Sequence, residues 1–141
     1  MAKKTKIILR KYTPAEQFYF LKTCPIAKGS GKLYNGRFSW VCKIRPTPFS
    51  REYDIRITFR LNESPKVTVV APDLPTLAEG RELPHVYKQN PPQLCLYVPK
   101  YREWAAEKKI ATTVVPWIYS WLSYFEDWLV TDEWKGGGLH P

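Results

Sequence analysis

Three cysteines are the residues of this chain that most directly suggest covalent chemistry. Cys24, Cys42 and Cys95 are far apart in the sequence, and no two of them form a Cys-x-x-C pair. Zinc knuckles and thioredoxin-like motifs require that spacing, so neither is expected. We expect three free thiols and neither a metal nor another cofactor, which leaves the question of which thiol reacts.

Cys95 is the candidate nucleophile. A free thiol has a pKa of about 8.5, so little thiolate exists at neutral pH, yet the sulfur remains intrinsically nucleophilic. A thioester on it is a good acyl donor to amines, and such a carrier needs an accessible cysteine on a rigid loop rather than a strong general base. Cys24 follows a predicted helix and Cys42 lies in a predicted strand, so both are interpreted as packing residues.

The segment around Cys95 has the composition of a stiff loop. Between positions 71 and 100 the sequence contains six prolines, at 72, 75, 84, 91, 92 and 99. Proline fixes φ and removes a backbone donor, so neither a helix nor a central strand is expected here. Loops of this length are usually functional or disordered, and the leucines, valines and tyrosines in this one can pack. It carries both His85 and Cys95.

A helix and a set of strands precede this loop. Thr13-Pro-Ala-Glu16 is a capping box with proline at the first helical position, and it predicts a helix at about 13–23. Alternating apolar and polar residues predict a half-buried strand at 53–61, flanked by strands at 37–44 and 66–70. Short turns join the three strands, which indicates an antiparallel meander.

A second helix follows the loop. Apolar residues recur at spacings of three and four between Ile118 and Leu129, after a cap at Thr112 or Thr113. We expect Lys135 and the glycines after it to end this helix, which would pack on the sheet. The elements together indicate an α+β fold and one domain over residues 1–141.

Bulk composition restricts the class of protein. Hydrophobic residues make up 44% of the chain, enough for a core, and no apolar run approaches the ~20 residues that cross a bilayer. The apolar run near the N-terminus is too short for a secretory signal, so we expect a cytoplasmic protein without a membrane partner. A net charge of +9 favours acidic partners.

Residues of the strands and the loop resemble the E2 ubiquitin-conjugating family. The chain has a Pro65-Lys-Val67 step, a histidine and a cysteine ten residues apart at His85 and Cys95, and an aliphatic-Cys-Leu sequence around that cysteine. Trp104 then follows, close to where these enzymes place a tryptophan. The resemblance implies a UBC-like (E2) fold with an N-terminal helix, an antiparallel β-meander, a long active-site flap and C-terminal helices packed on the sheet.

The C-terminal part narrows the resemblance. The stretch Ile110-Ala-Thr-Thr-Val-Val-Pro-Trp117, the Trp-Leu pairs that follow it, and Glu133-Trp-Lys-Gly-Gly-Gly-Leu-His-Pro141 are similar to the E2-like proteins of bacterial CBASS anti-phage operons. The similarity extends over roughly 51–141. It implies that Cys95 carries the C-terminus of a cGAS-like nucleotidyltransferase as a thioester and transfers it to a target amine. Because the chain has no Gly-rich nucleotide loop, activation would come from a separate E1-type protein or from the charging chemistry of the partner itself.

One departure from the family concerns the flap. E2 enzymes usually have His-Pro-Asn, whereas this chain has His85-Val-Tyr87 and therefore lacks the asparagine that supports the flap or the oxyanion. Backbone N–H groups, the Tyr87 hydroxyl or His85 are the candidate substitutes, while Asn90 does not match in position. His85 is either a general base or, as we favour, a structural support of the loop.

Two alternative functions follow from the sequence. The missing asparagine favours a catalytically inactive E2 variant that acts as a binding or scaffold protein. The positive charge admits a nucleic-acid-binding module that uses Arg56 and Arg60, although no clustered Arg-aromatic motif supports it, so nucleic acid ranks last among the partners. His140 lies in the C-terminal tail and is assigned no role.

Overall fold

The computed structural model describes residues 10–97 and 103–137. The first helix, α1 (Pro14–Lys22), begins as the sequence predicts, because Thr13 accepts a hydrogen bond from the Glu16 N–H while the Glu16 carboxylate accepts one from Thr13. This reciprocal bonding satisfies donors that the first helical turn otherwise leaves unpaired.

A sheet of six strands forms the body of the molecule. The order of the strands is β1-β2-β3-β4-β6-β5, and every neighbouring pair is antiparallel. Their bounds are β1 (Gly29–Tyr34), β2 (Arg37–Ile44), β3 (Tyr53–Arg60), β4 (Lys66–Ala71), β5 (Val86–Gln89) and β6 (Pro92–Leu94). The three predicted strands are confirmed as β2, β3 and β4, and three further strands extend the sheet at both sides.

The sequence did not predict the edge strand β1, because its residues do not alternate between apolar and polar. All its residues are exposed, and its glycines serve close approach to β2: a Cβ added at Gly29 would collide with the Val41 carbonyl. The turn from β1 to β2 has Gly36 at a φ of +75°, a backbone conformation that glycine adopts without steric cost.

The prediction that the proline-rich segment contains neither a helix nor a central strand is wrong, because β6 lies between β4 and β5 in the sheet. A short helix, α2 (Leu74–Leu77), lies in it, as does the β5–β6 hairpin. The prolines occupy tolerated positions, because Pro75 lies in the first helical turn, where the N–H has no intrahelical partner, and Pro92 is the first residue of a strand.

The C-terminal helix, α3 (Val114–Thr131), follows a 3₁₀ turn at Ile110–Thr112. Both long helices cover the same face of the sheet. The α1 residue Phe18 packs against Trp40 of β2, and the α3 residue Phe125 packs against Tyr53 of β3. The core between the helices and the sheet is continuous and strongly apolar. Within the described ranges, no helix combines the length and the hydropathy needed to span a membrane.

Candidate active site

The β5–β6 hairpin explains the ten-residue spacing of His85 and Cys95. His85 directly precedes β5 and Cys95 directly follows β6, and Val86 is paired with Leu94 at the open end of the hairpin. The Cys95 N–H donates to the His85 carbonyl at 3.0 Å. The two residues are therefore neighbours, joined through their backbones.

The backbone of His85 is held in an uncommon conformation. Its φ is +49°, in the left-handed region that residues other than glycine seldom adopt. Besides the bond from Cys95, its carbonyl accepts a hydrogen bond of 3.0 Å from the Trp121 indole N–H of α3. Two residues before His85, the backbone of Leu83 makes two hydrogen bonds with the Gln89 side chain. A strained backbone conformation persists only where surrounding contacts hold it in place, and these hydrogen bonds are such contacts.

Cys95 is less exposed than the sequence suggests. The residue is 9% exposed, and its thiol donates to the Tyr97 carbonyl across a distance of 3.6 Å. It nevertheless lines a cleft of about 250 Å³, which gives a ligand a route to the residue. The aromatic part of the cleft wall consists of Tyr97, Trp117, Trp121, Tyr124 and Trp134. The cysteine is thus presented within a cleft rather than at the surface of a loop.

Tyr87 places a hydroxyl beside this thiol. The hydroxyl donates to the same Tyr97 carbonyl at 3.2 Å that accepts the bond from Cys95. Partial burial of Tyr87, which is still 41% exposed, and next the neighbouring Cys95 thiol raise the pKa of the Tyr87 hydroxyl, and the Glu103 carboxylate adds to the effect. A phenol is protonated at neutral pH in any case, so Tyr87 is an O–H donor close to the thiol, and its acceptor is the Tyr97 carbonyl.

The His85 side chain lies in the wall of the same cleft. It is 6% exposed, and its ring is stacked on the Trp134 indole with centroids 4.9 Å apart and an interplanar angle of 23°. His85 thus contacts Cys95 with its backbone carbonyl and Trp134 with its imidazole ring. The predicted site residues Cys95, His85 and Tyr87 are therefore brought together by the fold.

The segment after α3 contributes residues that sequence reasoning missed. We expected the helix to continue to Lys135 and the glycines, but it ends at Thr131, because Asp132 adopts a left-handed conformation with a φ of +59°. The chain then turns back, and Trp134, Gly136 and Gly137 line the Cys95 cleft.

Glu103 is a second residue that the sequence did not single out. It lines the cleft, and its charge acts on the Tyr87 hydroxyl. No spacing signal links it to Cys95. Over the described residues, no group of histidines, cysteines and carboxylates is arranged to hold a metal ion.

The remaining candidates lie away from the cleft. Asn90 is at the tip of the β5–β6 hairpin, five residue steps from His85 along β5, or about 16 Å at the usual strand rise. Arg56 and Arg60 are exposed on β3. His140 lies outside the described residues.

The other two cysteines are packing residues, as expected. Cys24 is buried and its thiol lies 3.8 Å from the Ala111 carbonyl. Cys42 is 2% exposed, and burial raises the pKa of its thiol to about 12. Trp104 is also buried, where its ring contacts Phe59 and its indole N–H donates to the Thr113 hydroxyl.

The architecture is that of a UBC-like (E2) fold: an N-terminal helix, a six-stranded antiparallel sheet and a C-terminal helix over the sheet. The chain belongs to the E2 proteins of type II CBASS, because the family model described as "E2-CBASS: Type II CBASS E2 protein" matches residues 18–141. The resemblance drawn from the sequence is thereby confirmed. No curated protein matches the chain.

Proposed function

We propose that this chain is an E2-like conjugating enzyme of anti-phage defence in which Cys95 carries a protein C-terminus as a thioester. The observation that supports the proposal best is the environment of Cys95: it lies in a cleft, it is bonded through its backbone to His85, and its thiol shares the Tyr97 carbonyl with the Tyr87 hydroxyl. A reactive cysteine must be accessible to its substrate and must form a thiolate. Cys42 meets neither condition, because it is buried and the pKa of its thiol is raised.

The proposed reaction has two acyl transfers. The Cys95 sulfur first attacks the carbonyl carbon of an activated partner, so a C–S bond to Cys95 forms while the bond to the activating group breaks. The thiol proton passes to the departing activating group or to solvent. A target amine then attacks the same carbon, the C–S bond breaks, and a C–N bond replaces it. Of the protons that the attacking amine loses, one returns to the Cys95 sulfur and solvent takes up any other.

Tyr87 is the proposed substitute for the family's asparagine. Both transfers place negative charge on the acyl oxygen, and the Tyr87 hydroxyl is close enough to the thiol to stabilise that charge once it turns from the Tyr97 carbonyl to the acyl oxygen. The phenol carries its proton at neutral pH, as this role requires. His85 is proposed to act chiefly as the support of Cys95, through the carbonyl that accepts the Cys95 N–H.

Family membership implies partners within the CBASS system, and we propose their identities from the chemistry. The acyl donor is a cGAS-like nucleotidyltransferase C-terminus, and the acceptor is an amine of a target protein. A carboxylate must be activated before thioester exchange, so an E1-type protein is the expected source of the activated donor. Residues 1–141 are proposed to act as one E2-like domain.

Trapping the adduct tests this function. Incubation with the activated partner should yield an adduct that reducing agent removes, and Cys95→Ser should convert it into a more stable oxyester. Cys24→Ser is the matched control, because that thiol is buried outside the cleft, and it should form the adduct normally. An adduct that persists in Cys95→Ala would show that another residue carries the acyl group.

A non-catalytic scaffold is the second candidate function. The low exposure of Cys95 and the absence of the His-Pro-Asn asparagine favour it. A scaffold would protect the host equally well with Cys95→Ala, whereas a conjugating enzyme would lose protection. Phage plaque counts on cells carrying the operon with either variant distinguish the two functions.

A further inference from the structure

Residues 132–137 return from the end of α3 to the Cys95 cleft, although nothing in the acyl-transfer chemistry itself requires them. Asp132 reverses the chain and its carboxylate pairs with Arg81 at 3.2 Å. Arg81 also donates to the carbonyls of Trp128 and Leu129, which satisfies acceptors at the end of α3. The reversal is therefore built into the fold and directs Trp134 toward His85.

Trp134 is enclosed by aromatic rings on several sides. Besides the His85 stack, its ring centroid lies 5.5 Å from that of Trp121 and 5.7 Å from that of Tyr124. Trp121 in turn donates its indole N–H to the His85 carbonyl, so the ring and the backbone of His85 are held by two neighbouring tryptophans. The same carbonyl accepts the Cys95 N–H. A continuous series of contacts thus connects Trp134 to the nucleophile.

Gly136 keeps this segment close to the cleft. A Cβ at this position would lie 2.7 Å from a Tyr124 ring atom and 2.9 Å from the Trp134 indole nitrogen, closer than real Cβ contacts allow. The reason is steric and not conformational, because the φ of Gly136 is not in the left-handed region. Any side chain at Gly136 must displace either the rings or the segment itself.

We propose that Trp134, Gly136 and Gly137 form the closing wall of the Cys95 site, and that Trp134 is a positioning residue that holds His85 and, through it, Cys95. The left-handed backbone of His85 accepts two hydrogen bonds at its carbonyl, and the Trp134 stack is one contact of its ring. Loss of that stack removes one support of the strained conformation, so the acceptor of the Cys95 N–H is held less firmly. The role of Trp134 in acyl transfer rests on the proposed function, whereas the existence of the wall does not.

Two variants break the wall in different ways. Trp134→Ala removes the stacked ring, and Gly136→Ala retains it but forces the segment outward. Both should increase the rate at which iodoacetamide alkylates Cys95, by roughly two- to tenfold, the range that the loss of an aromatic pair supports. Rates are read peptide by peptide in a mass spectrometer and expressed relative to Cys42, which reports any global opening of the core.

The same variants should slow acyl transfer from Cys95 while they speed its alkylation. Trp134→Phe, which keeps a stacking ring, should restore both rates. In a His85→Ala background, Trp134→Ala should have little further effect on transfer, because a residue that acts through His85 has no role without it. Lys135→Ala is the matched control within the segment, since its side chain pairs with Asp127 and does not line the cleft.

The outcomes separate this inference from the proposed function. Unchanged Cys95 alkylation in both Trp134→Ala and Gly136→Ala would overturn the wall. Increased alkylation with full transfer activity, or equal effects of Trp134→Ala with and without His85, would overturn the positioning role. Failure of the wild-type chain to form any thioester would overturn the proposed function, while the alkylation rates would still decide whether the wall exists.

Discussion

At the scale of single residues, three identical thiols have different environments. Cys24 and Cys42 face the core, and burial holds the pKa of Cys42 far above its usual value. Cys95 lies where a strand ends at a cleft, next to a hydroxyl. The contrast follows from position in the fold. A strand residue that faces the helices, such as Cys42, is excluded from solvent, whereas Cys95, beyond the end of its strand, remains accessible through the cleft.

Tyr87→Phe tests the proposed oxyanion donor. Removing the hydroxyl should leave the formation of the Cys95 thioester detectable but slow its transfer to an amine by on the order of 10²-fold, as is typical for one oriented donor. Single-turnover discharge of the preformed thioester measures the effect. Lys88→Ala, which changes the next, exposed residue of β5, serves as the control. Discharge of Tyr87→Phe at the wild-type rate would assign the oxyanion to another donor.

At the scale of elements, the segment before β5 is held by side-chain bonds to its backbone. Gln89 both accepts from the Leu83 N–H at 2.8 Å and donates to the Leu83 carbonyl at 3.0 Å, which imitates a strand pairing. Leu83 lies two residues before His85. A single exposed glutamine of β5 therefore ties down the chain that leads into the site.

Gln89→Ala should lower the free energy of unfolding by about 1–2 kcal/mol, because two hydrogen bonds of roughly 1 kcal/mol each are lost. It should also raise hydrogen exchange at Leu83 and His85 more than in the sheet. Urea denaturation and amide exchange measure the two effects. If exchange rose uniformly across the molecule, Gln89 would stabilise the whole fold and not this loop.

The start of α1 gives a pH-dependent contribution to stability. Hydrogen bonds from Arg10 and then from the Thr13 backbone lower the pKa of Glu16 to about 2 from its ordinary value of 4.5. A carboxylate whose pKa is lowered by folding stabilises the folded state above its unfolded pKa, and this contribution disappears as the pH falls toward the folded value.

Glu16→Gln should therefore be less stable than the wild type at pH 7, and the difference should close as the pH falls from about 4.5 to about 2. Denaturant titrations at several pH values provide the comparison. Glu79→Gln, a change at an exposed carboxylate elsewhere, should show no such convergence. A stability gap between wild type and Glu16→Gln that stays constant through this range would mean that the charge is not responsible.

At the scale of the whole molecule, one carboxylate connects α3 to the sheet and to the loop before it. Glu126 of α3 accepts from the Tyr53 hydroxyl of β3 at 2.8 Å and from the Ser50 hydroxyl at 2.6 Å. Tyr53 is fully buried, and burial together with this carboxylate raises the pKa of its hydroxyl. Because α3 also carries Trp121, this connection links the sheet to a helix that lines the cleft.

Glu126→Ala should reduce the free energy of unfolding by about 2–3 kcal/mol, since it leaves a buried phenol without its charged acceptor. The double variant with Tyr53→Phe should recover part of the loss, because the unpaired hydroxyl is then absent. Guanidinium denaturation of the four chains gives the coupling. Strictly additive losses would show that the two side chains do not stabilise the fold together.

Much of this molecule follows from local rules. The capping box at Thr13, the alternation through Tyr53–Arg60 and the apolar recurrence in α3 each specify an element, since backbone hydrogen bonding and amphipathic periodicity are properties of neighbouring residues. The spacing of His85 and Cys95, with the flanking residues, likewise identifies the family that the comparison confirms. Information of this kind is contained in short stretches of chain.

Other features depend on contacts between distant residues. Strand β1 exists because two glycines allow its backbone to approach β2, and β6 is a strand because β4 offers it an unpaired edge. The depth of the Cys95 cleft is set in the same way by α3 and by the return of Trp134 to His85. The sequence by itself determines which residue is the nucleophile candidate and which elements surround it. Only the tertiary structure decides what encloses that residue, because burial is a property of residues that meet across the whole chain.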